Sequence, residues 1–142
     1  MSLTHDRKSE LLAAVRLFDG VDETGIGRIA DVVLEVDFSP DRVIARQGEI
    51  GSGFFVITAG SARVVRDGER IADLGPGDFF GELSVLDGRP RVAQVIATEA
   101  TTCLALSTWD FEAVVLDQPR VALAILRGLA GRLRELTEAD RH

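Results

Sequence analysis

The sequence predicts a mainly β domain of the α+β class, with helices at both ends enclosing a compact antiparallel barrel or sandwich. Three observations carry this. Seven short runs rich in β-branched and aromatic residues recur between Val33 and Ser107, separated by turn signals. Residues 1–33 before them and 108–142 after them carry helix formers with apolar residues at helical spacing. The 142 residues suffice for one core but not for two ordinary domains, so a single domain over 1–142 is expected.

In the N-terminal segment, Ser9 to Phe18 is rich in good helix formers and Gly20 marks an end. Asp22 is placed to cap a second helix, in which Ile26, Ile29, Ala30 and Val33 fall on one face. Gly25 and Gly27 each weaken that helix by about 1 kcal/mol relative to Ala, which points to close packing.

The β region, 34–107, reads as strands at Val33–Phe38, Val43–Arg46, Phe54–Ala59, Ala62–Arg66, Arg70–Leu74, Val92–Thr98 and Thr102–Leu106. Ser39-Pro40-Asp41 suits a type I turn, Pro76-Gly77 a type II turn, and Asp67-Gly68 a two-residue type I′ hairpin. Gly60 and Gly68 sit where neighbouring strands reverse.

In the C-terminal segment, 108–142, Thr108 is placed to cap a helix over Trp109–Leu116, with Trp109 on its core-facing side. Pro119 suits the first position of a final helix capped by Gln118. There Ala122, Leu126, Leu129, Leu133 and Leu136 form a seam, with Val121 and Ile125 on an adjoining face. The seam serves either packing on the β region or a homodimer with a second copy, being too short to decide for a coiled coil.

Composition excludes several function classes. A net charge of −7 argues against direct nucleic-acid binding through phosphates. A small anion is still admissible, because one local arginine outweighs carboxylates screened over about 8 Å. Cys103 is the single cysteine, which forbids an intrachain disulfide and fits a reducing, cytoplasmic setting. Its strand-like surroundings suggest a buried structural thiol. No run approaches a membrane span, and the N-terminus is not signal-like. Gly25-Ile26-Gly27-Arg28-Ile29-Ala30 spells a dinucleotide-binding pattern but lacks the βαβ context that motif requires. His5 and His142 lie at opposite termini, and there is no metal-ligand spacing, phosphate loop or nucleophile elbow, so neither an enzyme nor a cofactor is expected.

The stretch that carries chemistry is Phe79 to Ala93, FFGELSVLDGRPRVA. Gly81 to Leu86 reads as a short turn of helix preceded by a glycine, whose free N–H groups suit an anion. Gly81 lets a ligand approach the backbone without a β-carbon in the way. Arg91 offers a planar fork of donors matched to phosphate oxygens. Glu82 only accepts when ionised, so it suits hydroxyl or N–H donors. An anion-binding half beside a hydroxyl-binding half describes a sugar phosphate. The competing reading is a structural ion pair between Glu82 and Arg91.

Phe80-Gly81-Glu82-Leu83-Ser84-Val85-Leu86 followed by Pro90-Arg91-Val92-Ala93 resembles the phosphate-binding cassette of the cyclic nucleotide-binding domain family. Arg46-Gln47-Gly48-Glu49, Phe54 to Gly60, Leu74 to Asp78 and Leu17-Phe18 with Val21-Asp22 resemble further parts of its pattern, so the resemblance spans nearly the whole chain. It implies an eight-stranded antiparallel β-roll, of the jelly-roll barrel kind, flanked by N-terminal and C-terminal helices. It also implies a ligand-binding set of Gly81, Glu82, Leu83, Ser84, Arg91, Val92 and Ala93 for a cyclic nucleotide. In that set Glu82 takes the ribose 2′-OH and Arg91 the cyclic phosphate, with backbone N–H groups near Gly81, Leu83 and Val92 completing the shell. Many members carry Ala, Ser or Thr where this chain has Val92. A hydroxyl there is associated with cGMP, so valine favours cAMP. The resemblance implies a sensor module that relays binding through its C-terminal helix to an effector protein or domain. Two alternatives stand beside it: the regulatory fragment of a catabolite-activator-type transcription factor, and a ligand-free scaffold of the same fold.

Overall fold

The computed structural model describes residues 2–49, 53–81 and 89–139. Two N-terminal helices, α1 (His5–Ala13) and α2 (Glu23–Val32), are separated by a single 3-10 turn at Arg16–Phe18. Eight strands follow: β1 (Leu34–Phe38), β2 (Val43–Ala45), β3 (Gly53–Ala59), β4 (Ala62–Arg66), β5 (Glu69–Leu74), β6 (Phe79–Phe80), β7 (Gln94–Ala97) and β8 (Thr101–Ser107). Helices α3 (Thr108–Asp117) and α4 (Pro119–Ala139) close the described chain.

The strands form two four-stranded antiparallel sheets, ordered β1-β8-β3-β6 and β2-β7-β4-β5. Strand alternation explains how the first sheet is buried on both faces. Phe54 and Val56 of β3, with Leu104 and Leu106 of β8, face the helices and meet Leu12, Phe18, Ile29, Val121 and Ile125. Ile57 of β3 and Cys103 of β8 point the other way, into the roll, and join Ala45, Ala62, Phe80 and Val95 from the second sheet and β6. Covering both faces is why Phe54 to Ile57 reads as an unbroken apolar run. Phe55 lies between two other rings, stacked on Phe80 at 5.2 Å and edge-on to Phe38 at 6.1 Å. The second sheet ends at β5, where Arg70 and Asp73 pair at 2.5 Å on an exposed edge, a charged rim that discourages further strand pairing.

The expected β-roll with flanking helices is present, and several local expectations hold. The Asp22 carboxylate caps α2 by accepting from Gly25 N–H at 2.8 Å. Gly25 is closely packed, since a β-carbon there would lie 2.9 Å from Val121 Cγ2, whereas Gly27 has only His5 Cε1 at 3.9 Å. Asp67 and Gly68 both have positive φ, 53° and 83°, as the type I′ hairpin requires.

Other expectations are corrected. The first helix ends at Ala13 and the chain reaches Phe18 through the 3-10 turn, because Val15, Leu17 and Phe18 must all enter the core. Asp41 has φ 68° in a turn closed by Arg42 N–H to the Ser39 carbonyl, the pattern of a type II and not a type I turn. Strand β6, only two residues long, falls below any periodic signal. Ser107 rather than Thr108 caps α3, accepting from Asp110 N–H at 3.1 Å, and Thr108 Oγ1 is buried with no partner among the described residues. Trp109 is 80% exposed and takes no part in the core. On α4 the two apolar faces part company: Val121 and Ile125 are buried against the N-terminal helices and α3, while Leu126, Leu133 and Leu136 of the seam are exposed.

Candidate functional site

The short strand β6 delivers the chain to Gly81, whose φ of 89° belongs to the left-handed region that favours glycine. Arg91, ahead of β7, brings its guanidinium to the same spot. Its backbone is held on both sides by one turn: Arg91 N–H donates to the Glu49 carbonyl and Gly48 N–H donates to the Arg91 carbonyl, each at 2.8 Å. Its guanidinium donates from Nη2 to the Gly53 carbonyl at 2.7 Å and lies 6.0 Å from the centre of the Phe55 ring. A β-carbon on Gly81 would overlap Nη1 of Arg91 and come within 3.0 Å of the Gly53 carbonyl oxygen.

Gly81 and Arg91 form the polar end of a cavity of about 240 Å³. Its apolar wall comes from Val64 of β4, Ile71 and Leu74 of β5, Phe80 of β6 and Val95 of β7. Val92 and Ala93 also line it, and Val92 is 63% exposed. No described residue of α4 lines this cavity. Arg91 also borders a second cavity of about 350 Å³, beneath the start of α3, whose polar groups include both acids and bases: Arg46, Glu49 and Asp110. The smaller cavity is the better candidate for a molecule with an anionic and an apolar part. One end presents a cation and a bare backbone, and the remainder is a wall of aliphatic and aromatic carbon.

Four of the expected site residues, Gly81, Arg91, Val92 and Ala93, therefore meet at one cavity. Glu82, Leu83 and Ser84, together with the expected turn of helix from Gly81 to Leu86, lie outside the described residues. The apolar wall was missed. Period-two alternation could have flagged Val64 and Val95, but not which face of the second sheet encloses a ligand. The Gly53 carbonyl that holds Arg91 has no sequence signal at all, being a backbone group 38 residues away.

Cys103 is fully buried in the roll, and burial, reinforced by the Asp37 carboxylate, pushes its thiol up to about 12. It stays protonated and unreactive at neutral pH, as a structural thiol should. No helix among the described residues is long and apolar enough to cross a membrane.

The sequence model of the cyclic nucleotide-binding domain matches residues 35–118. Over 130 residues the chain is 29% identical to the CRP-like cAMP-activated global transcriptional regulator of Mycobacterium tuberculosis (strain CDC 1551 / Oshkosh), covering 88% of this chain and 58% of that protein. Among solved structures, the N-terminal domain of a transcriptional regulator from Streptomyces coelicolor A3(2) superposes with a TM-score of 0.81 at 30% identity, covering 91% of this chain and 93% of that one. The catabolite activator protein of Thermus thermophilus superposes with a TM-score of 0.75 at 33% identity, covering 88% of this chain and 62% of that one. The chain thus spans less than two thirds of both the mycobacterial and the Thermus relative.

Proposed function

The chain belongs to the cyclic nucleotide-binding domain family, and from that premise we propose that it is a cyclic-nucleotide sensor module, selective for cAMP over cGMP, and not an enzyme. The observation that carries this is the pairing of Arg91 with Gly81 at one end of an apolar cavity. The guanidinium, already oriented by the Gly53 carbonyl, receives the cyclic phosphate. The wall of Val64, Ile71 and Leu74 receives the base. Glu82 accepts from the ribose 2′-OH, with Leu83, Ser84 and Ala93 in the surrounding shell and the backbone N–H groups near Gly81, Leu83 and Val92 turned to the phosphate. Val92 stands at the cavity without a hydroxyl for the guanine amino group, which supports cAMP. Binding is relayed by a shift of α4 against the N-terminal helices, limited by the difference in the ligand's affinity for the two positions.

A second reading is favoured by the relatives. The chain matches somewhat over half of a longer, cAMP-activated transcriptional regulator, which supports a role as the regulatory part of a catabolite-activator-type factor. In that reading the exposed leucines of α4 pair two copies, and DNA contact lies outside this acidic chain. In either reading the module acts in the cytoplasm on an effector protein or domain.

The test is a thermal-shift panel with cAMP, cGMP and 5′-AMP, because only a ligand that binds the native state raises the melting point. A rise with cAMP that exceeds those with cGMP and 5′-AMP is expected. Calorimetry on Arg91→Ala should then show a loss of about 2–5 kcal/mol of binding, as for truncating one partner of a desolvated charge pair. No shift with either cyclic nucleotide would leave a ligand-free scaffold as the function.

A further inference from the structure

We infer that Gln47 is a positioning residue: its carboxamide locks the turn that holds Arg91 to the β4–β5 hairpin that builds the opposite wall of the cavity. The inference about geometry stands alone, and its consequence for ligand rests on the cyclic-nucleotide reading above.

Gln47 is exposed and lines neither of the two cavities described above, yet its side chain engages one residue twice. Nε2 donates to Asp67 Oδ1 at 2.8 Å, and Oε1 accepts from Asp67 N–H at 3.0 Å. Asp67 is the first central residue of the hairpin turn, and the two strands it joins supply Val64, Ile71 and Leu74 to the cavity wall. On its other side Gln47 adjoins Gly48 and Glu49, which bind the carbonyl and the N–H of Arg91. Arg91 lies ahead of β7, whose pairing with β4 begins only at Gln94 opposite Val65. The regular ladder therefore does not reach the arginine, whose backbone is bonded instead to the 46–49 turn.

The chemistry selects glutamine. Asp67 presents a carboxylate that needs a donor and an N–H that needs an acceptor, and a primary amide offers both. A glutamate at 47 would set carboxylate against carboxylate. A lysine has no acceptor, and an asparagine is one methylene short.

Four forms of the full chain test this role: wild type, Q47E, D67N and Q47E/D67N. In Q47E the exchange of the Gly48 and Arg91 amide hydrogens should accelerate at least tenfold, while that of Leu104 in the core stays unchanged. D67N alone should be silent, since its amide oxygen still accepts from Gln47 and its N–H is retained. In Q47E/D67N the carboxylate at 47 can accept from both the backbone N–H and the new side-chain amide, so slow exchange should return. Affinity for cAMP should follow the same order, falling about tenfold in Q47E and recovering in the double variant. Unchanged exchange at Gly48 and Arg91 in Q47E, equal acceleration at Leu104, or no recovery in the double variant would overturn the inference. Wild-type protein that fails to bind cAMP would instead overturn the ligand reading, leaving the positioning role to be decided by exchange alone.

Discussion

Gly81 stands so close to Arg91 that a β-carbon on the glycine would occupy the space of the arginine Nη1. The two residues are ten apart in sequence, and their approach brings bare backbone and a cation to the same end of the smaller cavity. A substitution at Gly81 therefore acts twice. Gly81→Ala strains a residue at φ 89°, at a cost of roughly 1–2 kcal/mol, and it also displaces the guanidinium. Urea denaturation should show that modest loss of stability, whereas calorimetry should show cAMP binding reduced far beyond it. Equal losses in both would mean that Gly81 serves the fold only.

Val92 allows specificity to be tested almost free of stability effects, because its side chain is largely exposed. Val92→Thr should raise affinity for cGMP relative to cAMP by about one hydrogen bond, roughly 0.5–1.5 kcal/mol or up to tenfold. Competition binding with the two nucleotides measures the ratio, and a ratio that does not move would remove Val92 as the discriminating residue.

Cys103 predicts the alkaline limb of stability. Its folded value of about 12 lies above the ordinary 9.0 because burial disfavours the thiolate. Between those values the native state holds a proton that the unfolded state has released, so stability is fully present below pH 9 and declines as pH rises toward 12. The chain has no tyrosine and a single lysine, which leaves few competing groups in that window. Chemical denaturation of wild type between pH 8 and 11 should lose stability more steeply than Cys103→Ala does. Parallel slopes would contradict the burial of the thiol.

The two faces of α4 should separate in mutagenesis. Ile125→Ala opens a cavity against the N-terminal helices and should cost about 2–4 kcal/mol of folding stability. Leu126→Ala and Leu133→Ala, on the exposed seam, should leave monomer stability within about 0.5 kcal/mol of wild type. If α4 mediates pairing of two copies, sedimentation should show that the double variant weakens it. Unchanged association would point to another surface.

Much of the architecture was written in local spacing. Asp22 as a cap, Asp67-Gly68 as a hairpin and the runs that became β1, β3, β4 and β8 are each decided within a few residues, by side-chain hydrogen bonding, by positive φ and by period-two burial. Gly81, Glu82 and Arg91 were legible from residue chemistry, a glycine that bares the backbone, a carboxylate that only accepts and a fork of donors suited to an anion, and the remaining cassette residues only through the family resemblance. By itself the sequence determined the fold class, the outline of the elements and the candidate cation and glycine of the site. Only the tertiary structure decided which groups surround them. The wall of Val64, Ile71 and Leu74, the Gly53 carbonyl behind Arg91 and the Gln47–Asp67 lock join residues 20 or more positions apart in sequence or bring separate strands to one volume. It also decided that Trp109 faces outward and that α4 buries Val121 and Ile125, with Leu129 packed beside them, while Leu126, Leu133 and Leu136 stay exposed. Helical periodicity reveals that a face is apolar. Which apolar face wins the core depends on what the other elements present to it, and that is a property of the assembled chain.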